Sequence, residues 1–209
     1  MATLQEVLQH TTGHTNGRPQ QIEWRAHFTP VVMSRDGTSL ASTHVDFSSA
    51  YGYSSRADAD GKHRLTNVRV TVVMNRARSW FVRGREGPLL LRHEQGHYNI
   101  TFSAARDLCR KLLDVEWDAA VLEALEKSSP ARIMAQLRNE ADALLRTARA
   151  ESSRLNELYD DPARGAKNAD GSINPDTQGR WDRMVEHAIQ QDTSLSLLIE
   201  IAGGNPRNW

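Results

Sequence analysis

Cysteine is almost missing: the 209 residues contain one, Cys109. A lone thiol excludes an intramolecular disulfide and a cysteine-rich zinc finger. Its neighbours Leu108, Leu112 and Leu113 put it on an apolar helix, where a buried, inert thiol is expected. Net charge is missing as well, because 26 Lys and Arg offset 26 Asp and Glu. No long-range field draws such a chain to nucleic acid or an anionic membrane, so neither partner is expected. No apolar run approaches the ~20 residues that cross a bilayer, so no membrane span is expected. The start, Met1-Ala2-Thr3-Leu4-Gln5-Glu6, has neither a basic segment nor an apolar core. No signal peptide is read there, and a cytoplasmic location is the default. What is present, 39% hydrophobic and 25% charged residues, describes a folded domain with a real core.

Residues 1–20 are polar, with Thr11, Thr12, Gly13, Asn16 and Gly17, and read as a short helix at most followed by a loose lead-in. Residues 21–86 read as β structure. Ile22 to Phe28 alternates apolar and polar, and so does Thr43 to Tyr53, with Val45, Phe47, Tyr51 and Tyr53 on one parity. Val68, Val70, Val72 and Met74 recur at period two. Segments 43–56 and 64–76 are expected to pair as a hairpin around the turn residues Asp58 to Lys62. His44 and His63, on these strands or turns, are expected to be exposed.

The pattern turns helical after Gly87, which breaks the chain, and Pro88, which suits a first helical position. Between Leu89 and Leu113, residues His93, His97, Ile100, Thr101, Ala104 and Leu108 fall on one face. A second helix is expected over 116–127, a third from about Ala131 to Leu158, and a last one from about Asp176 to Gln191. The stripe of the third is Ile133, Leu137, Ala141, Leu144, Leu145, Ala148 and Leu155. Residues 160–177 form a long turn-rich loop, a kind of segment that is often functional. The tryptophans Trp24, Trp80, Trp117 and Trp181 are expected to fill the core or its rim. The basic cluster Arg76, Arg78, Arg83 and Arg85 reads first as a solvated loop and second as a contact for an acidic substrate or a carboxylate terminus. The chain is therefore expected to be α+β: a polar lead-in over 1–20, one domain over 21–200, and a tail over 201–209. Within the domain, an antiparallel sheet in the β-rich half (21–86) packs on a helical half (87–200).

The chemistry lies in His93-Glu94-Gln95-Gly96-His97. Histidines four apart project from one helix face, so both imidazoles can reach one ion, and neutral imidazole is a zinc ligand. Glu94 lies beside that ion without having to bind it. It can take a proton from a metal-bound water whose pKa has been lowered to about 7. Gly96 weakens a helix by ~1 kcal/mol relative to Ala, which makes sense if backbone, substrate or metal must come close there. The competing reading is a surface helix with two solvated histidines, or a single satisfied core histidine.

The stretch from Arg78-Ser79-Trp80 through Leu89-Leu90-Leu91-Arg92 to His93-Glu94-Gln95-Gly96-His97-Tyr98-Asn99-Ile100 resembles the bacterial DUF922 family of zinc-dependent proteases, many of them exported. Ala41 to Phe47 and the Val-rich strand ending at Trp80 resemble it too, and the likeness covers roughly residues 22–190. It implies a zincin-like fold, a Zn2+ cofactor, and hydrolysis of a peptide or protein substrate. Tyr159-Asp160 and Gln178-Gly179-Arg180-Trp181 match two further family segments. Between them this chain carries an insertion, and the family's His-Gly has no counterpart: Asn174-Pro175 or Gly165-Ala166 stands there, depending on the end from which one counts.

A catalytic zinc usually takes three protein ligands and a water. The candidates for the third ligand are Asp160, Glu157, Asp176 and His187. Asp160 is preferred because it ends a long helix and borders the variable loop. Asp176 also suits a helix cap, and His187 suits a packed position beside Trp181 and Met184. Tyr159 offers either a hydrogen-bond donor to a developing oxyanion, a catalytic part, or a ring packed on the core. The expected site is then Glu94 and Tyr159 as catalytic groups with His93, His97 and Asp160 on the metal. The alternatives are a degenerate zincin-like binding or scaffolding module, and a helical interaction protein.

Overall fold

The computed structural model describes residues 1–54, 56–125, 129–163 and 165–203. In chain order the elements are α1 (Leu4–His10), β1 (His14–Thr15), β2 (Arg18–Pro19), α2 (Trp24–His27), β3 (Thr29–Val31), β4 (Ala41–Ser42), β5 (Val45–Tyr53), β6 (Lys62–Met74) and β7 (Trp80–Val82). They continue with α3 (Pro88–Leu113), β8 (Glu116–Asp118), α4 (Ala119–Ala124), α5 (Pro130–Asp160), α6 (Pro175–Gln190) and α7 (Leu195–Gly203). The class is α+β, with strands toward the N-terminus and a helical C-terminal half. The strands fall into three sheets: β1-β2, β3-β7-β4 and β5-β6-β8. β3 runs parallel to β7, while β4 pairs antiparallel with it. No helix among the described residues is long and apolar enough to cross a membrane.

By internal contacts the chain divides into two compact units. One comprises Met1–Thr12, Ser48–Thr71 and Ala105–Ala150, the other Gly13–Phe47, Val72–Ala104 and Glu151–Trp209. In the first, α1 opens with a reciprocal cap between Thr3 and Glu6 and buries Val7. Thr11 bridges Val70, and His10 Nδ1 meets the Val68 carbonyl at 2.6 Å. The short helix read within residues 1–20 is α1, and residues 2–12 belong to this unit. Cys109 is buried against α1, where loss of solvent pushes its thiol pKa up.

The structure departs from the sequence expectations at several places. Ile22 to Phe28 is not a strand, because Trp24 to His27 form one helical turn. Its alternation is outweighed by packing at i,i+4: the Trp24 ring lies 4.9 Å from that of Phe28 and 5.0 Å from that of Phe81. Residues 116–118, expected as helix, form β8, and Asp118 then caps the short α4. The end of that expected helix, 126–127, lies outside the described residues. On β6 the buried parity changes from His63 and Leu65 to Val68, Val70 and Val72, and the shift falls at Asn67, whose φ is +51°. That shift turns His63 inward, so it is buried rather than exposed, and His44 is half-buried. Loss of solvent and the neighbouring Arg78 charge lower the His44 pKa.

α3 is the central element of the site. Its single expected apolar face understates its burial, since every residue from Ile100 to Cys109 is buried. Thr101 and Ser103 tolerate this by returning their hydroxyls to the His97 and Asn99 carbonyls. α5 buries Ile133, Leu137, Ala141, Ala148, Ser152, Leu155 and Tyr159 at three- and four-residue steps. α6 starts at Asn174, whose side chain accepts from the Asp176 and Thr177 backbone, with Pro175 in the first turn. Asn174, not Asp176, is therefore its cap.

Candidate metal centre

Each residue of the motif has a distinct setting, and all of them lie in the second unit. His93 is fully buried and His97 nearly so. Gln95 accepts from the Ile22 backbone at 2.8 Å and donates to the Gln20 carbonyl, tying residues 20–22 to the helix. Gly96 makes room for Tyr159: a methyl group there would collide with the phenol. The close approach expected here of backbone, substrate or metal is made instead by a side chain from α5, Tyr159.

The last turn of α5 meets the motif through three residues. Tyr159 stacks its ring on His93, centroids 4.6 Å apart and planes within 9°. Asn156 Oδ1 lies 2.7 Å from His97 Nδ1. Asp160 Oδ1 lies 3.0 Å from His93 Nε2 and 3.4 Å from His97 Nε2. The first turn of α6 supplies Gln178, fully buried, whose Oε1 is 3.1 Å from His93 Nδ1.

These contacts determine which ring nitrogens carry protons. Asn156 donates its amide to the Ser152 carbonyl at 2.9 Å, so its oxygen is the atom that faces His97. Gln178 donates to Asp182 Oδ1 at 2.6 Å, so its oxygen faces His93. An amide oxygen only accepts, hence both Nδ1 atoms are the donors. In the neutral rings both Nε2 atoms then keep a lone pair, and both point to Asp160. Holding a histidine through its other nitrogen is how metal sites orient their ligands.

His93, His97 and Asp160 place their donor atoms within 4.8 Å of one another, the group among the described residues that could hold a metal ion. A tetrahedral zinc with bonds near 2.0 Å sets its donors ~3.3 Å apart, so the separations of 3.0 and 3.4 Å fit. Two neutral imidazoles and one carboxylate are also a donor set that zinc accepts. Burial disfavours charge on His97, but hydrogen bonding and charge from Asp160, then Glu94 and Asn156, outweigh it and raise its pKa. Burial would raise that of Asp160, yet His93, His97 and the Lys167 ammonium hold it far below the usual carboxylate range. Lys167 Nζ lies 2.8 Å from Asp160 Oδ1.

Glu94 is buried and accepts a hydrogen bond from Thr43 Oγ at 2.6 Å through one carboxylate oxygen. It lines a cleft of about 640 Å³, walled by Thr38 to Ala41, Leu89, Leu90, Lys167 and Ala169 to Ile173. Arg85, one of the four exposed arginines of the basic cluster, lines it too. The far wall is the segment between α5 and α6. Ala166 donates to the Tyr159 carbonyl, Lys167 bridges Ile173, and Asn174 donates to Ala166, so the segment doubles back on itself. Gly165 permits this, because a side chain there would collide with the end of α5.

The other candidate ligands are not brought in. Glu157 is exposed and accepts from Ser153 on its own helix. Asp176 is exposed in the first turn of α6. His187 is also exposed rather than packed, lining a groove with Met184 and Leu198. The Tyr159 hydroxyl faces inward: it donates to the His93 carbonyl at 3.1 Å and accepts from Gln178 Nε2 at 2.6 Å. Gln178 in turn reaches Asp182, which pairs with Arg92. Gln178, Asn156, Thr43 and Lys167 were given no role in the sequence reading. Gln178 and Thr43 left a trace there, each inside a segment noted for its likeness to a family. Comparison with known proteins finds no matching family, no similar curated protein and no similar solved structure.

Proposed function

We propose that this chain is a zinc-dependent hydrolase of peptide bonds, with His93, His97 and Asp160 holding the metal and Glu94 as general base. One observation carries the reading: two imidazoles, each facing an amide oxygen through Nδ1, turn their Nε2 atoms toward one carboxylate oxygen. The likeness of His93 to Ile100 to the zinc proteases of the DUF922 family supports the same chemistry. When bound, zinc lowers the pKa of a water to about 7 and polarises a carbonyl. The chain does the rest. Gln178 and Asn156 keep the two rings in the ligating tautomer. Thr43 orients Glu94, which lines the cleft, takes the water's proton and returns it to the leaving amine. Tyr159 acts on His93 by stacking and by holding its backbone, a positioning part rather than contact with substrate.

Metal analysis tests the reading. Wild type should carry about one zinc per chain and His93→Ala none. Glu94→Gln should keep the zinc and lose ~10²–10⁴-fold in turnover of an unfolded protein substrate. Full activity in that variant would sink the mechanism. The Lys167–Asp160 pair neutralises the carboxylate without any metal, and this favours a second reading, a binding module that does not hydrolyse. It predicts an intact fold with neither zinc nor turnover.

A further inference from the structure

We propose that Lys167 is the cationic group of this site: it competes with the metal for Asp160, and in the loaded protein it binds the negative charge that develops on the scissile carbonyl oxygen. The inference rests on the hydrolase reading. Hydrolysis bonds the water oxygen to the carbonyl carbon and breaks the C–N bond. Glu94 carries the water's proton to the amine nitrogen, and the carbonyl oxygen bears negative charge in between. A donor placed for that oxygen contributes more in the transition state than in the ground state. Tyr159, the sequence candidate for this part, is 1% exposed with its hydroxyl spent on the His93 carbonyl. Lys167 is placed differently. Its Nζ is 2.8 Å from the very oxygen that faces both Nε2 atoms, and the residue lines the cleft that Glu94 lines. Its backbone is fixed by the bridge to Ile173 and by the flanking Ala166 bonds to Tyr159 and Asn174, so the ammonium is delivered from an anchored turn.

One positive charge in that position has two consequences of opposite sign. It repels a divalent ion that shares its carboxylate, and it attracts an oxyanion. A purely structural lysine would move both quantities the same way or neither. The test uses full-length Lys167→Met and Lys167→Arg. Zinc affinity is read by competition with a chromophoric chelator, and turnover on fluorescently labelled casein. Lys167→Met should bind zinc about tenfold more tightly. Its kcat should fall about a hundredfold with KM little changed. Lys167→Arg should restore the wild-type zinc affinity and part of kcat. Unchanged or weaker zinc binding in Lys167→Met overturns the proposal, and so does an unchanged kcat, while the hydrolase reading survives both. Wild type that binds no zinc, or binds it and cleaves nothing, overturns the hydrolase reading and the part of Lys167 with it.

Discussion

Two clusters of charged side chains, one in each unit, look alike on paper and differ in what holds them. In the first unit Arg64 pairs with Asp58, Asp60 and Glu116, and Lys62 also reaches Glu116. Every carboxylate there already faces a cation of the chain, in the open. In the second unit Asp160 also faces a cation, Lys167, but the histidines beside it are buried and are held by amide oxygens, which orient them without neutralising them. Proximity of ionisable groups therefore says little about metal binding. Burial, and orientation by uncharged partners that leave lone pairs converging, is what separates a donor set from an ion-pair network.

The sharpest break in this comparison is loss of a donor. Asp160→Ala should abolish zinc binding, measured by metal content after dialysis, and retention of about one zinc per chain would remove Asp160 from the site. Next come the amides. Gln178→Leu or Asn156→Leu, which keep bulk but lose the acceptor, should weaken zinc binding by roughly 10–100-fold with all three donors intact. Calorimetry would show it, and unchanged affinity would mean that ring orientation is set by packing alone. Gly96→Ala forces Tyr159 off the motif helix and should cost about 1–3 kcal/mol in denaturant unfolding.

A smaller effect is expected from pH. Metal-free His97 titrates above the ordinary histidine value of 6.5 because of Asp160. Its contribution to stability is complete below 6.5 and is lost as pH rises through the raised value. Asp160 titrates below 3.8, so its contribution is present above 3.8 and is lost as pH falls through the depressed value. The metal-free protein should thus lose Tm as pH rises above 6.5, and zinc, which requires both groups deprotonated, should flatten that slope. Equal slopes with zinc and with chelator would separate the pair from the metal. Smallest of all, Arg64→Ala should leave zinc content unchanged, since its partners are surface carboxylates. A loss of metal in that variant would erase the distinction between the clusters.

Much of this site could be read in the chain before folding, and the unread parts have a common cause. The i,i+4 histidines and the helix that bears them follow from local spacing. The α5 stripe, continued one step of four from Leu155, reaches Tyr159, so its inward ring was available in the periodicity even though its hydroxyl partner was not. Gly96 announced a close approach, read as one of backbone, substrate or metal, and the group that comes is a side chain. Asn156 and Gln178 lie 59 and 85 positions from the histidines they hold, and no local pattern marks an amide as a ligand's anchor. Trp24–Phe28 misled because alternation and i,i+4 packing coexist in seven residues.

Helical periodicity, the composition of the motif and the long loop before α6 are properties of neighbouring residues, and the chain determined them by itself. Backbone geometry converts spacing into facing within one element. Which carboxylate among Glu157, Asp160 and Asp176 meets the imidazoles depended on how the ends of α5 and α6 come to α3. So did the direction of the Tyr159 hydroxyl and the arrival of Lys167. Those were decided only by tertiary packing, because they are distances between elements, set by burying Tyr159, Trp181 and Gln178 together.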